Sequence, residues 1–213
     1  MKLYGFGQSR SLRVLWALNE IEAEFEFITV NLYAAEHRQP EFRRLNPVGR
    51  VPVLVDDDIV VTESMAILMY LGEKFPAKGL LPSDLKNRAQ VLRWAMFAAT
   101  ELEQPLWRIR KHSLLYPKDK RSPQEIELAR QDFKYMAEIL DRHMEERHFI
   151  VGDGLTIADC ATAYVIDWAG EEKLLDGLPN LIAYLDRMYA RPKAPKRMAQ
   201  ARPVSQGGYS RPT

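Results

Sequence analysis

Along the first third of the chain the apolar positions change period several times. KLYGF (2–6) is a short strand-like run, and in SLRVLWALNE (11–20) Leu12, Leu15 and Trp16 recur at helical spacing. FEFITVN (25–31) alternates as a half-buried strand does. VPVLV (51–55) and DIVVT (58–62) are two further strand runs, joined through Asp56-Asp57-Asp58 closely enough for a tight antiparallel hairpin. ESMAILMYLGEKF (63–75) then reads as an amphipathic helix. With a short helix at 40–45 in an otherwise irregular segment, the order is β-α-β followed by β-β-α. That order predicts a small α/β sandwich built on a mixed sheet.

PAKGLLPSD (76–84) is rich in proline, glycine and polar residues, the composition of a connection. Beyond it strand signals stop, and helical periodicity runs through 86–116, 123–147, 156–173 and 178–191. The expected division is a domain at 1–77, a linker at 78–86 and an all-helical domain at 87–201. The tail 202–213, with little to bury, is expected to be mobile. In 155-LTIADC-160, Thr156 caps a helix with Asp159 as its third residue, and Leu155 and Cys160 are placed as a hydrophobic staple. The same placement makes Cys160 a small buried hydrophobe.

Composition narrows the class without naming it. Thirty basic and 29 acidic side chains leave a net charge of +1, and Lys and Arg form no long block, so no nucleic-acid surface is indicated. No apolar run reaches membrane-spanning length, and MKLYGFGQSR lacks the apolar centre of a secretory signal. The lone Cys160 excludes an internal disulfide and a C-x-x-C pair, which suits a reducing, cytoplasmic setting. The four histidines show no metal-ligand spacing. The glycines of GFGQ lack the further glycine and lysine of a phosphate loop.

Two short stretches carry candidate chemistry. Pro52 sits second in a strand-like run although proline has no N–H to give a ladder, so either the Val51–Pro52 bond is cis or the strand is an edge. A cis bond would turn the backbone of Val51 outward, free to pair with an extended peptide. In 62-TESMAI-67, Glu63 and Ser64 open a helix whose first N–H groups suit a carboxylate. Ser64 could hold that carboxylate and Glu63 a neighbouring ammonium, together an α-amino-acid head group; alternatively both are simply caps.

NPVGRVPVLVDDDIVVTESMAILMYL (46–71) resembles the glutathione-binding core of the glutathione S-transferase family, in both its N-P-x-G-x-V-P-x-L and T-E-S-x-A-I segments. LTIADC resembles the capping box of that family's second domain, and the likeness covers about 200 residues. It implies a thioredoxin-like N-terminal domain followed by an all-helical one, and a cytoplasmic homodimer that detoxifies electrophiles with glutathione and no metal. By the resemblance, Val51 beside cis-Pro52 pairs with the cysteinyl part of glutathione, and Glu63 and Ser64 hold its γ-glutamyl end. Arg50 and His37 fall where several members contact the glycyl carboxylate; His37 could equally be a solvated surface residue.

Members of the family lower the thiol pKa with a Tyr, Ser or Cys just after the first strand. Lowering it by about two units takes roughly 2.7 kcal/mol. A hydrogen bond to a charged acceptor gives about 1.5–3 kcal/mol, and a helix N-terminus about 0.3–1 kcal/mol more. In 7-GQSRSLRV-14 the resemblance places Ser9 nearest the serine of the theta-, zeta- and tau-like groups, with Ser11 second. Ser9 could also serve only to cap the helix. Arg10 stands where beta-class members have cysteine, and Tyr4 comes too early for a tyrosine-type enzyme. Trp107, Arg108, Lys111 and Tyr116 are candidates to line the pocket of a largely apolar co-substrate, although aromatic residues at such spacing also build cores. Alternative outcomes are a zeta-like isomerase using glutathione as cofactor, or a non-catalytic glutathione-binding or regulatory protein.

Overall fold

The computed structural model describes residues 1–201; the tail expected at 202–213 lies outside the described residues. Four strands, β1 (Lys2–Gly5), β2 (Glu26–Thr29), β3 (Val53–Asp56) and β4 (Ile59–Thr62), form one sheet in the order β2-β1-β3-β4. β1 and β2 run parallel around helix α1 (Ser11–Ile21), while β1–β3 and β3–β4 are antiparallel. The β3–β4 turn is Asp57-Asp58, and Asp57 takes φ +51, a conformation short polar side chains tolerate. Helix α2 (Pro40–Leu45) fills the irregular stretch, and α3 (Ser64–Lys74) follows β4 directly. This is the mixed-sheet α/β sandwich anticipated from the strand and helix order, in the thioredoxin-like arrangement that the family resemblance implied.

The strand read at 51–55 starts two residues later and ends one residue later in the structure, at Val53–Asp56. Pro52 cannot donate to the ladder, so regular pairing starts at Val53, opposite Tyr4. The connection after α3 is anchored rather than loose. Leu80 and Leu81 are buried, and the Ile157 N–H donates to the Leu80 carbonyl at 2.9 Å. A Cβ on Gly72 would come within 2.6 Å of Leu81 Cβ, so only glycine lets α3 approach this segment.

Among the described residues, the second half carries helices joined by turns and no strand. α4 (Leu85–Phe97), α5 (Glu103–Arg110), α6 (Pro123–His143), α7 (Ile157–Glu171) and α8 (Pro179–Tyr189) follow in order. The stretch anticipated as one helix at 86–116 carries two π turns, Ala98–Leu102 and Lys111–Leu115. Each precedes a proline: Pro105 lacks an N–H and its ring would crowd the carbonyl four residues back, and Pro117 follows the second turn. α7 is apolar almost all round and buried along nearly its full length, which makes it the axis of the bundle. Its start has the anticipated capping box: Asp159 accepts the Thr156 N–H and hydroxyl, both at 2.9 Å. α1 and α3 pack on α7, so one continuous core joins sheet and bundle.

Candidate functional site

The loop before β3 is organised from within. Asn46 is buried; its side-chain amide donates to the Arg50 carbonyl at 2.8 Å and its oxygen accepts the Val48 N–H at 3.1 Å. Gly49, at φ +66, passes so close to His37 that a Cβ would lie 2.8 Å from the His37 carbonyl. The Val51–Pro52 peptide is cis, and Val51 stands outside the strand register. Arg50 is exposed, and His37 sits in a short 3-10 turn at Glu36–Arg38 with a buried Nδ1 that has no hydrogen-bond partner. Burial, helped by Arg38, lowers the His37 pKa.

β4 hands over to α3 through one unusual residue. Glu63 has φ +66 and ψ 114, a region sparsely populated by non-glycine residues and costing roughly 1–3 kcal/mol. The turn leaves Glu63 exposed and tucks Ser64 into the first turn of α3, 4% exposed, where the leading N–H groups have no intrahelical acceptor.

The start of α1 supplies the third element. The Ser9 hydroxyl donates to the Phe6 carbonyl at 2.7 Å, and its oxygen accepts the Ser11 N–H at 3.2 Å. Ser11, 1% exposed, accepts the Phe6 N–H at 3.2 Å and lies 2.8 Å from Ser9 Oγ. Gly5 is required there, because a Cβ would meet the Ser11 side chain at 2.9 Å. Behind this turn a buried ion cluster joins the two domains. Glu103 accepts Arg10 Nε and Arg13 Nη2, each at 2.5 Å. Arg13 also donates to Met65 Sδ at 3.3 Å, and its guanidinium carbon lies 4.8 Å from the centre of the Tyr164 ring. Burial opposes the charge of Glu103, yet Arg13 and Arg10 hold its pKa below the usual carboxylate value.

These elements border one cleft of about 350 Å³. Arg50, Glu63 and Ser64 line one side, and Arg10, Trp107 and Lys111 the other. Trp107 serves both purposes left open by its spacing: it is packed edge-on against Trp168 in the core and faces the cleft. Two anticipated pocket residues are not brought there. Arg108 turns to α6, where it pairs with Asp132 at 2.5 Å and Glu125 at 3.1 Å and borders a different groove. Tyr116 lies beyond the second π turn, stacked edge-on against His112. Ser9 and the Val51–Pro52 peptide adjoin the lining residues Arg10 and Arg50 in the chain. Among the described residues, no three His, Cys, Asp or Glu side chains gather as a metal site.

Arg13 and Glu103 escaped the sequence reading, although a signal was present. Arg13 interrupts an apolar helix face, and a charge there calls for a buried partner. Ninety residues separate that partner in the chain, so its identity had to come from the fold.

Comparison with known proteins places the fold in a family. The family model described as glutathione S-transferase, N-terminal domain, matches residues 1–73, and the C-terminal domain model matches 106–192. Glutathione S-transferase F9 of Arabidopsis thaliana is 30% identical over 90% of this chain and 93% of its own length. A glutathione S-transferase domain-containing protein from Marinobacter aquaeolei superposes with a TM-score of 0.82 at 28% identity, covering 92% of this chain and all of its own. A glutathione transferase from Burkholderia graminis, with two glutathione molecules bound per subunit, gives 0.81 at 25% identity over 94% and 86%. With both domain models in chain order and a relative matched over nearly its whole length, this chain belongs to the glutathione S-transferase family.

Proposed function

We propose that the protein is a glutathione transferase, which ionises the thiol of glutathione and joins its sulfur to an electrophilic carbon. The observation that carries the reading is the meeting of three elements at one cleft: the β3 entry, the head of α3 and the start of α1. Glutathione would lie along the first two. Glu63 would take the γ-glutamyl ammonium, and Ser64 with the first N–H groups of α3 its carboxylate. Val51 would pair with the cysteinyl backbone beside Pro52. Arg50 and His37 would meet the glycyl carboxylate. The thiol then falls toward the start of α1, where Ser9, on releasing the Phe6 carbonyl, could donate to the thiolate; Ser11 is the second candidate but is buried. Glutathione bound to the Burkholderia relative supports the ligand.

In the reaction the thiol proton leaves to water and the sulfur lone pair forms the S–C bond, while the leaving group departs with its bonding pair. Trp107, which lines the cleft, would give the co-substrate an apolar contact. The same family likeness supports a homodimer, and a single buried cysteine suits the cytoplasm.

The test is conjugation of glutathione to an activated aryl chloride. Turnover by the wild type, reduced about 10²-fold or more in Ser9→Ala with KM for glutathione little changed, is the expected result. Tight binding with no turnover toward any electrophile would favour the non-catalytic reading.

A further inference from the structure

The two serines at the start of α1 are committed to the backbone around them. Ser9 has one proton, and the Phe6 carbonyl holds it at 2.7 Å. The Ser9 oxygen meanwhile accepts from Ser11, which is itself bound to the Phe6 N–H. The neighbouring Arg10 is differently placed. Its Nε is fixed on Glu103 at 2.5 Å, and its guanidinium carbon lies 5.5 Å from the centre of the Trp107 ring. Its two terminal nitrogens take no hydrogen bond among the described residues, and the side chain lines the cleft. A guanidinium held at one nitrogen and one face, with its remaining donors unspent, is pre-organised for an anion.

Glu103 does not cancel that charge. Its second oxygen belongs to Arg13, so one carboxylate serves two guanidiniums. Around the whole cleft, Arg10, Arg13, Arg50 and Lys111 face only Glu63 and Glu103, an excess of two positive charges. Tyr164, beneath Arg13, stays neutral because burial pushes its pKa up. Glutathione carries one net negative charge as the thiol and two as the thiolate. The charge of the cleft therefore complements the ionised form.

We propose that Arg10 is a second catalytic residue beside Ser9, whose free N–H groups bind the glutathione sulfur and help hold it as the thiolate. The step is an ionisation: the S–H bond breaks, its electron pair stays on sulfur and the proton passes to water. This rests on the reading of the cleft as the glutathione site.

The thiolate absorbance of bound glutathione, titrated against pH, tests the proposal alongside binding of S-methylglutathione, which has no ionisable thiol. In Arg10→Gln the pKa of the bound thiol should rise by about one unit, leaving about tenfold less thiolate below the pKa. Affinity for S-methylglutathione should change by no more than about threefold, and Arg10→Lys should restore part of the shift. Glu103 remains paired with Arg13 in both variants, and an unchanged melting curve verifies the fold. If Arg10→Gln leaves the thiol pKa unchanged while Ser9→Ala raises it, the proposal is overturned and the serine alone activates the thiol. If the wild type binds no S-methylglutathione, the glutathione reading of the cleft fails first.

Discussion

Glu103 shows how a single side chain can set both the stability and the charge of a site. It is 1% exposed and accepts two guanidiniums, one of them, Arg13, equally buried. Removing a partner from a buried pair leaves an uncompensated charge, at a cost of about 3–5 kcal/mol. Glu103→Ala should therefore lower the urea unfolding free energy by about that amount, with Arg10 released from its position. A loss below about 1 kcal/mol would mean that Arg13 finds water or another acceptor. The stabilisation has a defined pH window, because the folded pKa of Glu103 is depressed. It is present above the ordinary glutamate pKa and is lost as pH falls through the depressed value. Residues of this kind were the least legible in the sequence. Glu63, Ser64, Val51 and Pro52 stand in short contiguous motifs, whereas Arg10, Arg13 and Glu103 acquire their meaning only when α1 meets α5.

At the scale of elements, the head of α7 carries a titration of the opposite sign. Asp159 is fully buried, and burial pushes its pKa up to about 6 against the hydrogen bonds from Ile150, Thr156 and Tyr184. Between the ordinary aspartate pKa and about 6, the folded chain keeps a proton that the unfolded chain has lost. Stability from this group therefore rises as pH falls through 6. His37 and His143, whose pKa values burial lowers, oppose it in the same range, so the comparison must be with a variant. From pH 7 to pH 5 the wild type should gain about 1 kcal/mol relative to Asp159→Asn in urea unfolding. Equal pH slopes in the two proteins would show that Asp159 is ionised throughout. The capping box itself was readable from LTIADC, since local hydrogen bonds leave a local signature. The π turns were not read, because periodicity averages over them. Pro105 and Pro117 were the only marks they left, and a proline announces a departure from α geometry without saying which one.

At the scale of the molecule, sheet and bundle share one core, and the cleft lies where α1 and α3 meet α5. The succession of an α/β part and a helical part followed from the order of strand and helix periods, a global pattern that survives errors at element ends; the shared core and the place of the cleft did not. The character of the cleft did not follow from it. Trp107, Arg108, Lys111 and Tyr116 were expected to line the co-substrate pocket, yet of these only Trp107 and Lys111 reach the cleft, among arginines and carboxylates. Helical phase decides such questions, and one π turn shifts it by a residue. The proposed activity requires this cleft to accept glutathione through its γ-glutamyl end. Isothermal titration calorimetry with glutathione on the wild type, Glu63→Gln and Ser64→Ala measures that directly. The wild type should bind with saturable heat, and each variant, still folded, should lose about tenfold or more in affinity. No heat with the folded wild type, or equal affinity in all three proteins, would contradict it.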